Sequence, residues 1–89
     1  MEKQIEIIVE GKVQGVYFRQ STKEIAQLLD ICGFVKNQSD GTVLIHACGS
    51  AAQLDQLITW CKTGPPYAMV SNITVADKVL ESFQTFEIR

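Results

Sequence analysis

The segment GKVQGVYFR, residues 11–19, combines residue types that together could bind a phosphate-sized anion. Gly15 can adopt a backbone conformation that turns successive N–H groups toward one point, which makes a nest for an anion. Arg19 adds a permanently charged planar fork, which matches two phosphate oxygens better than a lysine does. On spacing alone a plainer interpretation stays open, in which Arg19 is a surface cation and the glycines only turn the chain.

A predicted strand precedes this segment and a predicted helix follows it. Alternating apolar positions in residues 5–9 indicate a strand with one apolar face. The sequence STKEIAQLLDICG then predicts a helix, with Ser21 and Glu24 at capping-box spacing and Gly33 as its stop. The predicted apolar stripe of this helix consists of Ile25, Leu28, Leu29 and Cys32. The unpaired N–H groups and partial positive charge of a helix start would strengthen an anion site there.

The rest of the chain completes a recognisable order of elements. FVKN and TVLIHA predict two strands around QSDG, where Asp40-Gly41 is a strong hairpin signal. A second helical stripe consists of Leu54, Leu57, Ile58 and Cys61, and Gly64-Pro65-Pro66 ends that helix. AMVSNITVADKV and TFEIR each contain a further strand. The order β-α-β-β-α-β plus a short terminal strand predicts an α+β, ferredoxin-like sandwich with two helices on one face of an antiparallel sheet.

This topology predicts which distant residue lies beside Arg19. In a split βαβ unit the first two strands run parallel, with another strand between them. The loop after the first strand and the end of the second strand therefore lie at the same edge of the sheet. We expect Arg19 in the first and Asn37 in the second to be neighbours in space.

Composition limits the class of protein. The 89 residues predict one domain, residues 1–89, with one core. The net charge of −2 argues against non-specific binding to nucleic acid. The longest apolar run is far shorter than a membrane span, and the first residues lack the apolar stretch of a signal peptide. We expect a cytoplasmic protein with neither nucleic acid nor membrane as partner, and a domain of this size can be a monomer.

The three cysteines carry no metal or redox motif. Cys32, Cys48 and Cys61 contain no Cys-x-x-Cys pair, and Cys32 and Cys61 each continue the apolar face of a predicted helix. We interpret them as small buried hydrophobic residues. Their spacing leaves open whether any of them forms a disulfide.

The two motifs together resemble those of the acylphosphatase family. GKVQGVYFR followed by GFVKNQSDGTV is similar to the family pattern G-x-V-Q-G-V-x-F-R and then G-[FW]-V-x-N-x-x-D-G-x-V. GPPYAMV and the terminal FEI resemble later segments of the same family, so the resemblance covers essentially the whole chain. Phe34 stands where many members have Trp, and Leu44 stands where an acidic residue often occurs. Neither departure falls on the expected chemistry.

The resemblance implies hydrolysis of the carboxyl–phosphate anhydride of acyl phosphates to a carboxylate and inorganic phosphate. It also implies that the reaction needs no metal or cofactor and forms no phosphoenzyme. Arg19 and Asn37 are the implied catalytic residues: Arg19 clamps the phosphoryl group and Asn37 holds the attacking water. The implied phosphate-binding loop consists of Gln14, Gly15, Val16, Tyr17, Phe18 and Arg19.

This chemistry agrees with the absence of a convincing general acid or base in the sequence. His46 is the only histidine, and it is predicted to be a solvated residue on the outer face of the sheet. A carboxylate leaving group has a pKa near ~4, so it departs without being protonated. Phosphoryl transfer through a loose transition state needs mainly positioning and charge stabilisation.

Two other classes of protein are alternatives to an enzyme: a ligand-binding module and a nucleic-acid-binding domain. A binding module of the same fold could hold a phosphate or carboxylate without turnover, but it has no evident use for a water-holding Asn37. A nucleic-acid-binding domain would need stacking aromatics and basic charge, which the chain lacks. The sequence does not specify the physiological acyl phosphate. Ser21 and Thr22 are expected to cap the first helix, although either hydroxyl could instead support the phosphate loop.

Overall fold

Five strands and two helices make up the fold in the computed structural model, which describes residues 2–89. The elements are β1 (Glu2–Lys12), α1 (Phe18–Leu28), β2 (Cys32–Asn37), β3 (Val43–Ser50), α2 (Ala51–Cys61), β4 (Met69–Lys78) and β5 (Phe86–Ile88). The strand order in the sheet is β4-β1-β3-β2-β5. β3 lies between the parallel strands β1 and β2, so the predicted ferredoxin-like arrangement is confirmed.

The terminal strand makes the sheet mixed instead of wholly antiparallel. β1 pairs antiparallel with β3 and β4, and β2 pairs antiparallel with β3. β5 instead pairs parallel with β2, with Ile88 opposite Val35. The predicted antiparallel sheet is thus corrected at one edge. The reason is that the chain passes from β4 at one edge to β5 at the other, and so enters β5 from the end where β2 begins.

The core lies between the sheet and the two helices. Ile5, Ile7 and Val9 of β1 are 0–2% exposed and form one cluster with residues of both helices. The predicted alternation of β1 is therefore confirmed. α2 also packs as predicted, because Leu54, Leu57 and Cys61 are buried. Ser50 and Gln53 form a capping box at its start, a signal that the sequence analysis did not use.

The first helix differs from its prediction. It begins at Phe18, and Ser21 lies inside it, so the predicted capping box with Glu24 is wrong. The N-cap residue is Tyr17, whose side chain makes no capping hydrogen bond. The helix also ends before Gly33, which belongs to β2. The residue before the observed start, Tyr17, is not a typical N-cap residue type, so the capping-box spacing of Ser21 and Glu24 led to a predicted start that is too late.

The buried face of α1 matches its prediction only in part, since Ile25 and Leu29 pack against the core as predicted. Its buried residues are Phe18, Thr22 and Ala26, whereas Leu28 is 81% exposed. Small side chains at positions four apart let the helix approach the sheet closely. Thr22 is tolerated there because its hydroxyl donates to the Phe18 carbonyl at 2.7 Å.

The three thiols are free, but they are not equally buried. Cys48 and Cys61 are buried as predicted, and burial raises the pKa of the Cys61 thiol to about 12. Cys32 is half-buried and begins β2, so its predicted place on a helical stripe is wrong.

Residues 79–85 cross the face of the sheet that is turned away from the helices. Phe83 packs against Phe34 on that face, with ring centroids 6.0 Å apart. The ring of His46 stacks on the same Phe34 at 4.6 Å, and its side chain is only 17% exposed. His46 is therefore on the predicted face but is largely covered rather than solvated.

Gly33 lies where an added side chain would collide with the backbone of the neighbouring strand β3. Its φ is 140°, and an added Cβ would collide with the backbone carbonyl oxygen of His46. We expect Gly33→Ala to lower the free energy of unfolding in urea by at least about 2 kcal/mol. Gly41→Ala is the matched control, since its φ is also positive at 92° but nothing lies within 4 Å of the added Cβ. It should cost about 1 kcal/mol, and equal losses for both variants would contradict the steric argument.

Candidate active site

The connection between β1 and α1 forms a concave backbone loop. φ is 75° at Gly15 and 64° at Tyr17, with a residue of ordinary φ between them. Positive φ at such closely spaced positions occurs in turns whose successive N–H groups converge on one side, so this loop can form an anion-binding nest. Tyr17 leads directly into the N-terminus of α1, where unpaired N–H groups add partial positive charge.

Apolar side chains anchor this loop to the core. Val13, Val16 and Phe18 are between 1% and 5% exposed and belong to the main core cluster. The Phe18 ring packs at a tilt against Trp60, with centroids 5.4 Å apart. Buried anchors at three positions within six residues leave the intervening backbone little freedom, so the loop is held in its concave shape.

The loop borders a cavity of about 440 Å³. Its lining consists of Val13, Gly15, Tyr17, Phe18, Arg19, Gln20, Asn37 and Ile88. Arg19 and Asn37 therefore meet at one cavity, as the topology predicted. Of the other loop residues, Val16 is buried beneath the loop, and Gln14 is not part of the lining.

Arg19 presents at this cavity a positive charge that no Asp or Glu side chain of residues 2–89 neutralises. Its Nη1 donates to the backbone oxygen of Arg89 at 3.3 Å. The ion pairs found among residues 2–89 do not include Arg19. With five N–H donors on a guanidinium group, most of its hydrogen-bonding capacity remains for a ligand.

Asn37 ends β2 with an unsatisfied acceptor. Its Oδ1 is buried and has no hydrogen-bond partner among the described residues. Leaving a buried acceptor without a donor costs roughly 1–3 kcal/mol, so such atoms are uncommon and usually mark a site that takes a ligand or water. Since Asn37 also lines the cavity, its amide can hold a water molecule beside an anion bound at Arg19.

The side chain of Gln14 points away from the concave side of the loop. Its Nε2 donates to the backbone carbonyl oxygens of Gln38 and Thr42, at 2.8 Å and 2.9 Å. Both carbonyls belong to the turn between β2 and β3. The Gln14 side chain thus connects the loop to the turn that follows Asn37, a contact that residue types alone do not reveal.

Three cavity residues lie outside the implied loop and Asn37: the anchor Val13, Ile88 and Gln20. Ile88 reaches the cavity because β5 pairs parallel with β2, a pairing that the sequence analysis did not foresee. Gln20 follows Arg19 in the first turn of α1, and the predicted helix began too late to place it there. Knowing the true helix start would have identified Gln20.

The remaining sequence candidates lie outside the cavity or have structural roles. His46 contacts Glu6 at 3.2 Å on the opposite face of the sheet. The Thr42 hydroxyl and backbone amide donate to Asp40, which lowers the pKa of that carboxyl and identifies Asp40 as a turn residue. Ser21 lies within α1 and does not cap it, and the Thr22 hydroxyl is occupied by the Phe18 carbonyl.

Among residues 2–89, no group of three or more His, Cys, Asp or Glu side chains is arranged to hold a metal ion. None of the helices described is long and apolar enough to cross a membrane.

Comparison with known proteins finds relatives along almost the whole chain. A family model described as Acylphosphatase matches residues 5–88. A curated acylphosphatase from Acaryochloris marina is 45% identical over 84 residues, which cover 94% of this chain and 90% of that protein. The solved acylphosphatase of Coxiella burnetii superposes with a TM-score of 0.96 at 42% identity, covering 99% of this chain and 93% of that one. For the acylphosphatase of Bacillus subtilis the TM-score is 0.95 at 38% identity, with 100% and 99% covered.

Proposed function

Because the chain belongs to the acylphosphatase family, and is therefore an enzyme that hydrolyses acyl phosphates, we propose which of its residues perform that reaction. The backbone of residues 14–18 and the guanidinium group of Arg19 bind the phosphoryl group. Asn37 orients the attacking water, and the reaction uses no metal. The membership favours this enzyme over the phosphate-binding module and the nucleic-acid-binding domain.

The phosphoryl group would lie in the nest formed around Gly15, at the N-terminus of α1. Backbone N–H groups fixed before the reaction stabilise charge on the phosphoryl oxygens without a reorganisation cost. Arg19 adds a full positive charge at the same cavity. A loose transition state leaves charge spread over three equatorial oxygens, so this arrangement supplies the stabilisation that the step requires.

One observation carries the assignment of Asn37: its buried Oδ1 lacks a partner, and Asn37 lines the same cavity as Arg19. A water that donates to this oxygen would be held near the bound phosphorus. Its oxygen attacks phosphorus, the bond from phosphorus to the bridging acyl oxygen breaks, and the carboxylate leaves with the electron pair. One proton of the water passes to a phosphate oxygen, and the other stays on the attacking oxygen.

The leaving group and the charges of the site support metal independence. A carboxylate with a pKa near ~4 departs as an anion, so neither a metal ion nor a protonating side chain is needed to assist it. Arg19 and the backbone nest supply the positive field that a metal ion provides in other phosphoryl-transfer sites.

We expect hydrolysis of a synthetic aromatic acyl phosphate, such as benzoyl phosphate, to proceed at the same rate with and without a chelator. Release of carboxylate and of inorganic phosphate should be followed together, because anhydride hydrolysis yields them in equal amounts. Added Mg²⁺ after the chelator is the control. Activity that disappears with the chelator and returns with the metal would refute the metal-free mechanism.

We further propose that residues 1–89 work as a single domain, as a monomer in the cytoplasm. One core cluster joins the sheet and both helices, which supports the single domain. The three free thiols suit a reducing compartment. Light scattering of the purified protein would measure the molecular mass and test the monomer.

A further inference from the structure

The Gln14 side chain connects the two halves of the proposed site. Its Nε2 donates to the carbonyl of Gln38, the residue after Asn37, and to the carbonyl of Thr42 on the other side of the turn. The distances of 2.8 Å and 2.9 Å are those of well-formed hydrogen bonds. One amide group therefore uses both of its N–H donors to hold the two sides of one turn.

The turn already has its own internal hydrogen bonds. The Gln38 N–H donates to the Thr42 carbonyl at 2.9 Å, and the Gly41 N–H donates to the Gln38 carbonyl at 3.1 Å. The two bonds from Gln14 are thus not needed to close the turn. What they add is a fixed distance between this turn and the loop that carries the anion nest.

Asn37 has few other constraints on its position. The pairing of β2 with β5 ends at Val35, so Asn37 is paired through the sheet only with Val43 of β3. The acceptor oxygen of the Asn37 side chain makes no hydrogen bond that would hold the amide in place. The backbone next to Asn37 therefore determines where its amide lies relative to Arg19.

We propose that Gln14 is a positioning residue, which holds the Asn37 amide at the distance from the phosphate loop that water attack requires. This inference rests on the proposed role of Asn37. The Gln14 side-chain amide is bonded to the turn and is not part of the cavity lining, so it acts through the turn and not by contact with substrate. A displacement of about 1 Å in a reacting group can lower a rate by roughly 10²-fold, so two hydrogen bonds at this place can control turnover.

The test uses Gln14→Met, which keeps the length of the side chain and removes both donors. We expect kcat to fall by roughly 10- to 100-fold, while the inhibition constant for inorganic phosphate changes by less than about 2-fold, because the nest and Arg19 remain. Gln4→Met is the matched control. Gln4 also holds two segments together, since its side chain accepts from the Glu81 N–H at 2.8 Å, but it lies on the opposite face of the sheet. The folded control should retain the wild-type kcat.

A double-mutant cycle separates positioning from a general structural effect. If Gln14 acts through Asn37, Gln14→Met should change kcat by less than about 2-fold when Asn37 is already alanine. Equal effects of Gln14→Met in both backgrounds, or loss of phosphate affinity with kcat preserved, would overturn the inference. If Gln14→Met does not fold, Gln14→Asn serves instead, because its shorter amide cannot reach both carbonyls.

The same data distinguish failure of the inference from failure of the proposed function. A slow Asn37→Ala enzyme together with an unimpaired, folded Gln14→Met enzyme rejects only the role of Gln14. Near-normal turnover of Asn37→Ala rejects the proposed role of Asn37, and the inference with it.

Discussion

Replacing Arg19 with Gln is expected to lower kcat/KM for an acyl phosphate by roughly 10³- to 10⁵-fold, the range found when a phosphoryl-stabilising arginine is removed. Gln keeps much of the reach and one amide donor group but loses the charge and the planar fork. Because Arg19 is exposed and pairs with no Asp or Glu side chain of residues 2–89, the change leaves no buried charge behind and should not unfold the protein. Affinity for inorganic phosphate should fall as well, since the guanidinium group binds the dianion before and during reaction.

Two controls make this expectation specific. Arg19→Lys keeps the charge without the fork, and we expect its activity to lie between wild type and Arg19→Gln. Lys36 is an exposed cation next to Asn37 that does not line the cavity, so Lys36→Gln should stay within about 3-fold of wild type if only screened surface potential is lost. A folded Arg19→Gln enzyme with a tenth or more of wild-type activity would contradict the proposed role of Arg19 in binding the phosphoryl group.

Features that leave a periodic pattern in the sequence, or that depend only on the order of the elements, could be predicted. The strands were found because a sheet with one buried face alternates strictly, as Ile5, Ile7 and Val9 do. The proximity of Arg19 and Asn37 followed from topology, because the parallel relation of β1 and β2 brings their ends to one edge. These predictions needed no knowledge of individual contacts.

The first helix shows where periodicity fails. Leu28 fits the predicted stripe by hydrophobicity, yet it is 81% exposed, and Thr22 is fully buried. The small side chains of Thr22 and Ala26 lie on the buried face of α1, and the Thr22 hydroxyl donates a hydrogen bond to the Phe18 carbonyl. The helix start was missed because Tyr17 adopts a left-handed conformation that its residue type does not favour.

Hydrogen bonds from a side chain to main-chain carbonyls far along the chain could not be predicted from the sequence. The Gln14 amide binds main-chain oxygens of residues 38 and 42, and every residue type offers the same carbonyl. No spacing rule could have identified these partners. The terminal strand was similarly ambiguous, since TFEIR reads as a strand in either direction and only the parallel pairing brings Ile88 to the cavity.

Replacing Asn37 with Ala is expected to separate turnover from binding. We expect kcat to fall by roughly 10²- to 10³-fold, because a water molecule without its acceptor is no longer held in line with the bond that breaks. The inhibition constant for inorganic phosphate should change by less than about 3-fold, since Arg19 and the loop are untouched. Asn37→Asp is the isosteric comparison, and its carboxylate should weaken phosphate binding by repulsion.

Stability gives a second, independent signature for Asn37. Its Oδ1 makes no hydrogen bond with another residue of 2–89, so truncation to Ala breaks no hydrogen bond within the protein at that atom. We expect the free energy of unfolding in urea to stay within about 1 kcal/mol of wild type. A residue retained for packing would behave oppositely and lose stability when truncated. Loss of kcat with undiminished stability would therefore identify Asn37 as a residue kept for the reaction, whereas a clear loss of stability would assign it to the fold.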